Sequence, residues 1–366
     1  MKAIQKYCLL GLFIVVSATS CIKDVEVPLR FEGERLVVEG QISNEPGPYN
    51  IRLTLSGAVA AGTAVPEEKQ VTDAQVSVRD DQGKIIPFVH TGSGFYQSDD
   101  PSFIGEVGRS YSADIRLADG RNFISLPEKI LTPVQMDSFQ IRFVPDYNRF
   151  HPAYFRTYIY TTDPADQENY YKWEAYGYTR RKTLGVGCGF YCIMFDKCLQ
   201  YRTDNEMSIM SDADINGGRI IDKGISNSYI FDYGTHFIDF SQLSISKSYF
   251  QFLQQYVDQV ARTGSIFDPL PASIKGNIVN AANQNEYALG YFSARSAVHK
   301  KVIITPYYIT EYLLDVSANA FFERVSQPCF DVYPDAVRYD PPPAPQVPPP
   351  PGWENADSVR VNFKFP

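Results

Sequence analysis

The sequence lacks an apolar run long enough to cross a bilayer as a helix. The run at residues 7–16 falls short of the roughly 18 to 20 residues that a spanning helix needs, and no other stretch reaches that length. A multipass membrane protein is therefore excluded.

The sequence also lacks a basic stripe. Its 34 Lys and Arg against 42 Asp and Glu give a formal net charge of −8, so nucleic-acid phosphates would be repelled and nucleic-acid binding is not expected.

Motifs of the common hydrolases are missing as well. The four histidines, at His90, His151, His236 and His299, form no H-E-x-x-H or other two-histidine spacing, which argues against a zinc hydrolase. There is no G-x-S-x-G nucleophile elbow and no glycine loop that would cradle a phosphate. A carboxylate pair for glycoside hydrolysis has no sequence signature, because its spacing is three-dimensional. No enzyme class is indicated.

What is present is the composition of a folded, strand-rich protein. Hydrophobic residues make up 44% and charged residues 21% of the 366 positions, so the chain can bury a core and global disorder is excluded. A chain of this length suggests two or three domains. Aromatic residues reach 14%, which favours strands, because flat rings pack well on a pleated surface. The sequence predicts a mainly β fold.

The N terminus has the features of an export signal. Lys2 and Lys6 precede the apolar run, and the small residues 17–20 lead to Cys21. This arrangement resembles the lipobox of bacterial lipoproteins, which predicts a signal peptide at residues 1–20, acylation of Cys21 and a tether at residues 21–34. Several acyl chains suffice for stable attachment, so we expect the mature chain to be anchored to a lipid membrane. The alternative is that Cys21 is an ordinary cysteine of a secreted domain.

Acidic residues follow the lipidation site directly. Asp24 and Glu26 in residues 22–26 resemble the surface-export signal of Bacteroidetes lipoproteins. The predicted location is the outer membrane, with the chain lipid-anchored and exposed at the cell surface. Retention on the periplasmic side is the alternative.

The remaining cysteines fit an oxidising compartment. Cys188, Cys192, Cys198 and Cys329 stay after Cys8 leaves with the signal and Cys21 takes lipid. Four cysteines in an exported chain predict two disulfides, with three possible pairings. The alternative is that the cysteines at 188–198 bind a metal, but this cluster lacks the C-x2-C doublets and the nearby histidine of a zinc site.

Alternating patterns divide the chain into regions. Residues 35–127 contain about seven short strands separated by turn residues, which predicts an immunoglobulin-like β-sandwich. Residues 128–338 read as a larger β-rich domain with one amphipathic helix near 247–262, ending before Gly264. A Pro-rich linker follows at 339–352, with eight prolines in positions 340–351, and then a tail at 353–366 that either adds a strand or stays disordered.

One short string resembles a calcium loop. Asp212, Asp214 and Asn216 alternate ahead of a glycine turn, and Asp222 follows, as in loops that wrap the ion with oxygen ligands. Lys223 occupies the position where a bidentate carboxylate belongs, and the two glycines at 217–218 also fit a plain hairpin turn. Calcium is thus one alternative and a structural turn the other. No other cofactor is expected.

An aromatic stretch at 139–160 offers a candidate binding surface. Its side chains would stack sugars or line a protein interface, where tyrosine is enriched, or else fill strand cores. The members are Phe139, Phe143, Tyr147, Phe150, Tyr154, Phe155, Tyr158 and Tyr160.

Segments 36–42, 49–53, 263–271, 276–278 and 290–293, together with the lipoprotein start, are similar to a known family. This is the Bacteroidetes outer-membrane lipoprotein family catalogued as domain of unknown function 4249, and the resemblance covers about residues 21–335. It implies a non-enzymatic binding or accessory component of a TonB-dependent transporter for nutrient or peptide uptake. It brings no catalytic residues. The alternatives are an adhesin or structural surface protein, and an extracellular hydrolase of unrecognised type.

Overall fold

The computed structural model describes residues 34–57, 68–145, 153–165, 167–184, 194–203, 207–230, 235–261, 273–304, 336–338, 350, 352–353 and 355–359. These residues form twenty strands and one helix, which confirms the mainly β class. Nine strands come first: β1 (Leu36–Ser43), β2 (Asn50–Leu55), β3 (Lys69–Gln70), β4 (Gln75–Asp80), β5 (Ile85–Gly92), β6 (Phe95–Ser98), β7 (Ser110–Arg116), β8 (Asn122–Ser125) and β9 (Glu128–Lys129). The rest are β10 (Ser138–Pro145), β11 (Ala153–Thr162), β12 (Tyr170–Leu184), β13 (Met194–Thr203), β14 (Ser208–Ser211), β15 (Arg219–Ile230), β16 (His236–Ser244), α1 (Lys247–Ala261), β17 (Lys275–Asn280), β18 (Asn283–Ile304), β19 (Ala336–Arg338) and β20 (Asp357–Val359).

The first half of the molecule is a sheet whose pairing closes on itself. Strands pair in the order β1, β2, β6, β5, β4, β7, β8, β17 and β18, and β18 then pairs with β1. We call these nine strands the N-terminal sheet. Only the β1–β18 pair in this ring is parallel, with Val38 opposite Gly290. The closing strands thus come from residues 275–295.

This arrangement differs from the immunoglobulin-like sandwich predicted within residues 35–127. Strands β1 and β8 take their outer partners from β18 and β17 instead of from their own region. Alternation within a strand shows which face is buried, but it does not show which distant strand completes the sheet. Strand pairing therefore crosses the predicted boundary between residues 127 and 128.

Side chains that alternate inward fill the N-terminal sheet. Val38, Ile51, Leu53 and Phe292 are fully buried there. Burying one side chain of this kind stabilises the fold by about 1.5 to 3 kcal/mol. Other large members of this core include Leu36, Ile42, Val78, Tyr96, Tyr111, Ile115, Phe123, Ile130 and Ile278.

The second half consists of two stacked sheets. Strands β10, β11 and β15 form the three-stranded sheet. The C-terminal sheet contains β12, β13, β14, β16, the second half of β18, β19 and β20. Trp173 and Phe240 of the C-terminal sheet pack in one buried cluster with Phe155 of the three-stranded sheet. Phe139 meets Phe240 edge-on, with ring centroids 5.2 Å apart.

A buried amide holds the polar groups of that core. Gln242 accepts hydrogen bonds from Trp173 Nε1 at 3.0 Å and from Thr161 Oγ1 at 2.8 Å, and its Nε2 donates to the carbonyl of Val134 at 2.9 Å. The indole N–H of Trp173 and the hydroxyl of Thr161 thus each have an acceptor, which avoids the cost of an unpaired polar group.

The first residues of helix α1 contact a buried carboxylate. Ser246 caps the helix by accepting the N–H of Tyr249 at 3.1 Å. Glu128, 2% exposed, accepts the hydroxyls of Ser246, Ser248 and Tyr291 at 2.5, 2.9 and 2.5 Å. This single side chain joins β9, α1 and β18.

The apolar face predicted for the helix is only partly covered in the described structure. Leu253 is buried, and Phe252 packs on Tyr291 with centroids 4.9 Å apart, whereas Tyr256 and Val260 are half exposed. The exposed pair borders an apolar cavity of about 340 Å³ between α1 and the start of β17. The described residues contain no helix with the length and apolarity needed to cross a bilayer.

We expect Gly290→Ala to destabilise the fold by about 3 kcal/mol or more. Gly290 has φ +78°, and an added Cβ would lie 2.2 Å from the carbonyl oxygen of Val38, on the paired backbone of β1. Gly83→Ala is the matched control, because Gly83 has φ +88° but no described residue lies within 4 Å of an added Cβ. Backbone strain alone should therefore lower the free energy of unfolding of this variant by only about 1 kcal/mol. Urea unfolding measures both, and equal losses would contradict a close approach of β1 and β18.

Candidate functional site

The outer face of the C-terminal sheet carries a cluster of charged side chains. Strand alternation places them there, because Glu174 on β12 lies opposite Ser241 on β16, which lies opposite His299 on β18. Tyr176 lies opposite Asp239 on the same face. We call the following residues the charged cluster: Glu45, Lys172, Glu174, Tyr176, Asp239, Arg295 and His299.

His299 is held between two carboxylates from distant parts of the chain. Its Nδ1 lies 2.8 Å from Asp239 Oδ1, and its Nε2 lies 2.8 Å from Glu45 Oε1. Burial disfavours a charge on the ring, but the hydrogen bonds and charges of Asp239 and Glu45 outweigh it and raise the pKa of His299 to about 9. The ring is therefore an imidazolium at neutral pH.

The loop after β1 delivers Glu45 to this place. The last pair of the parallel β1–β18 ladder sets Ser43 opposite Arg295. The next residue, Asn44, continues along β18 by accepting the N–H of Ala297 on its Oδ1 at 2.8 Å. The hydrogen bond from His299 then lowers the pKa of Glu45, in spite of its partial burial. An N-terminal carboxylate is thus part of a site on the C-terminal sheet.

Glu174 is the second ionised centre. Its two oxygens lie 2.6 Å from Lys172 Nζ and 2.8 Å from Arg295 Nη1. Desolvation opposes its ionisation, but the charges of Arg295 and Lys172 lower the pKa of Glu174 to about 2. The cluster is therefore charged across the physiological pH range.

His299 is not placed to act as a general base. Both ring nitrogens of His299 are engaged by carboxylates, so neither can take a proton from a nucleophile. Ser241 lies opposite His299, but its hydroxyl donates to the backbone carbonyl of Glu174 at 3.5 Å. The charged cluster can hold an ionic or polar group, and it can fix the loop after β1 against the C-terminal sheet.

The outer face of the three-stranded sheet carries tyrosines and arginines. Arg142 on β10 lies over the ring of Tyr158 on β11, 4.3 Å from the ring centroid. Arg156, on β11 like Tyr158, lies 5.9 Å from the same centroid. Asp222 accepts from Arg142 Nη2 and from the Tyr160 hydroxyl, each at 2.5 Å. We call this surface the tyrosine–arginine face; it comprises Arg142, Tyr154, Arg156, Tyr158, Tyr160 and Asp222.

Backbone irregularities in β15 shape this face. The register of β11 and β15 shifts twice, and Asp222 sits at the irregular stretch with φ +52°. A bulge of this kind re-aims a side chain. Gly224 leaves room for Arg156, because an added Cβ would lie 2.6 Å from Arg156 Nε. The hydrogen bond from Tyr160 lowers the pKa of Asp222, so the face combines aromatic rings with both signs of charge.

The predicted aromatic stretch is divided between two faces. Phe139 and Phe155 belong to the core, while Tyr158 and Tyr160 alternate outward on β11. The core interpretation thus holds for part of the stretch, and binding by the outward tyrosines stays a prediction. The remaining members are Phe143, which packs against the core, Tyr154, which is half buried on β11, and Tyr147 and Phe150, which lie outside the described residues.

The predicted calcium residues do not converge. Asp212 is buried and accepts the N–H of Asn169 at 2.7 Å, whereas Asp222 belongs to the tyrosine–arginine face. Asp214 and Asn216 are exposed in the turn between them. Among the described residues, no group of three or more His, Cys, Asp and Glu side chains is placed to hold a metal ion. The segment has the geometry of a turn, and calcium binding there stays a prediction.

One cysteine lies in the described part of the chain. Cys198 on β13 is fully buried and disulfide-bonded. Cys188, Cys192 and Cys329 lie outside the described residues, as does Cys21. The pairing and the lipid attachment therefore stay predictions.

Sequence patterns did not reveal the charged cluster. Glu45 and His299 are far apart in the chain, and no short motif joins them. A usable signal was present on β12, where Lys172, Glu174 and Tyr176 follow each other at every second position, opposite buried aromatic neighbours. Such spacing marks a polar sheet face, but not its partners.

Comparison with known proteins identifies a family. The model of a family described as "Domain of unknown function (DUF4249)" matches residues 22–301. No curated protein matches the chain.

Stability should depend on pH through His299. Because its pKa is raised from 6.5 to about 9, the stabilisation is fully present below about pH 6.5 and is lost as the pH rises through 9. After solvent screening we expect a loss of about 1 to 2 kcal/mol between pH 6.5 and 9.5. His299→Gln should lack most of this loss, while the exposed control His90→Gln should keep it. Urea unfolding across this range tests it, and identical profiles for wild type and His299→Gln would refute the assignment.

Proposed function

The chain belongs to the DUF4249 family, and we propose that it is a Bacteroidetes outer-membrane lipoprotein that binds a TonB-dependent transporter. It serves the uptake of a nutrient or peptide as a binding component, without catalysing a reaction. The observation that carries this proposal is the tyrosine–arginine face. It presents partly exposed Tyr and Arg side chains on paired strands instead of a nucleophile and a base.

The composition of that face supports protein binding. Tyr and Arg are enriched in interfaces and among the residues that dominate binding energy. Tyr158 is already ordered by the guanidinium of Arg142, and Tyr160 by its hydrogen bond to Asp222. Side chains that are ordered before binding lose less entropy when a partner arrives.

The N-terminal sequence supports the location. Cys21 precedes Glu34, the first described residue, by thirteen positions, which an extended chain spans in about 45 Å. Lipid on Cys21 would thus hold the folded body close to a membrane while leaving it free to turn toward a transporter. The acidic residues after Cys21 support placement at the cell surface.

An adhesin is the second candidate, favoured by an exposed apolar stripe on the N-terminal sheet. Ile85 and Val89 on β5 are 53% and 52% exposed, and Phe95 on β6 is 41% exposed. Scattered apolar residues are common on surfaces, so the stripe carries less weight than the tyrosine–arginine face. If the chain is an adhesin, its loss should impair surface binding and leave uptake unchanged.

Co-purification tests the proposal. The tagged full chain, extracted in mild detergent, should recover a TonB-dependent transporter, and Arg142→Ala with Tyr158→Ala should lower the recovery about tenfold because the binding face is lost. Tyr256→Ala, which removes a half-exposed tyrosine from α1, is the matched control and should recover as much as wild type.

The anchor is tested in the same preparation. Cys21→Ser should leave the membrane fraction, and mass spectrometry of the wild type should find acyl chains on Cys21. Repeated recovery without any transporter, or equal losses for the Tyr158 and Tyr256 variants, would contradict the proposal.

A further inference from the structure

A slot on the outer face of the C-terminal sheet holds Trp353. The indole is 3% exposed and meets the rings of Tyr176 and Tyr178 edge-on, with centroids 6.0 and 5.7 Å apart and planes at 88°. Lys301 Nζ lies 4.8 Å from the ring centroid and donates to the carbonyl of Gly352 at 3.0 Å. The buried Leu199 and Phe237 complete the slot. It is shaped for a large aromatic side chain whose backbone runs past Lys301.

The residues after Trp353 add a strand beside this slot. Strand β20 pairs in parallel with β18, with Asp357, Ser358 and Val359 opposite Val302, Ile303 and Ile304. An anchor pocket next to a strand edge is the combination by which folded domains bind extended peptides: backbone pairing gives affinity and the pocket gives selectivity. We call the described residues 352–353 and 355–359 the strap.

The attachment of the strap is small. Its strand has three residues, against nine in the pairing of β16 with the same part of β18. Trp353 Nε1 is buried and has no hydrogen-bond acceptor among the described residues, an unfavourable state that another occupant of the slot could avoid. The segment that leads to the strap has eight prolines in positions 340–351, and prolines cannot donate to a sheet ladder.

The strap also lies against the charged cluster. Tyr176 supplies an edge to the Trp353 ring and donates its hydroxyl to Asp239 Oδ2 at 2.9 Å. Asp239 in turn holds His299. Departure of the strap would bare Tyr176 beside these charges, so an occupant with a polar group next to its aromatic ring would gain further contacts.

We propose that this slot and the adjoining edge of β18 form a peptide-binding groove that the strap occupies in the free protein. Its external ligand is an extended segment of a partner protein, with a tryptophan a few residues ahead of a short strand, and binding displaces the strap. Peptide binding in this groove requires neither the lipid anchor nor the transporter.

A labelled synthetic peptide of residues 350–366 tests the groove by fluorescence anisotropy. Full-length Trp353→Ala, whose strap has lost its anchor, should bind the peptide at least about tenfold more tightly than the wild-type chain, in which the tethered strap competes. A peptide with Ala at position 353 should bind neither chain. Lys301→Ala added to Trp353→Ala should weaken binding again. Equal binding to both chains, or binding to neither, would overturn the proposal.

Hydrogen exchange on the unmodified full chain gives a second, independent readout. The amides of residues 357–359 should be protected yet exchange at least about 100-fold faster than those of Phe237 and Phe240, because the strap opens without the sheet. Exchange of both groups at one slow rate would show the strap to be a permanent part of the sheet, and the displacement would then be excluded.

Discussion

Strand β18 is the element on which the rest of the structure depends. Its 22 residues pair with β1 and β17 in the first half and with β16 and β20 in the second. The middle of the strand, from Tyr291 to Ala297, is continuously buried. Gly290 permits the close parallel approach of β1, and Tyr291 reaches the buried carboxylate of Glu128. One extended segment thus carries two sheets and the start of the helix.

The same strand organises the polar surface. Arg295, His299 and Lys301 all reach the outer side of the C-terminal sheet, and each meets a partner from a different element. Arg295 meets β12, His299 meets both β16 and the loop after β1, and Lys301 meets the strap. Because these contacts stem from one strand, the charged cluster and the aromatic slot are adjacent, and each side chain stays ordered without a ligand.

The tyrosine–arginine face lies on the opposite layer. Alternation along β11 sends Phe155 and Ile159 into the core and Tyr158 and Tyr160 outward. A single strand therefore supplies both packing and binding chemistry. The two candidate surfaces are thus separated by the Trp173 core, so a partner on one layer would not cover the other.

Sequence patterns predicted the local elements well. Alternation predicted a run of short strands in residues 35–127, where β1 to β8 lie, and the 3.6-residue period located the end of α1 to within one residue of Ala261. Membership of the DUF4249 family was also predicted from a few segments, and the family model confirms that membership. The partners of β1 and β8 could not be predicted, because pairing between distant strands leaves no local pattern. The full length of β18 could not be predicted either, since Arg295, His299 and Lys300 interrupt its apolar alternation. The charged cluster was missed because its members lie on distant strands whose pairing leaves no local pattern.

Native-state hydrogen exchange tests most directly whether β18 makes the two sheets one cooperative unit. We expect amides of Val38 and Leu53 in the N-terminal sheet to open with the same free energy and the same denaturant dependence as amides of Phe237 and Phe240. A lower opening free energy for Val38 and Leu53, with a smaller denaturant dependence of its own, would show that the N-terminal strands unfold separately and would contradict the central role of β18.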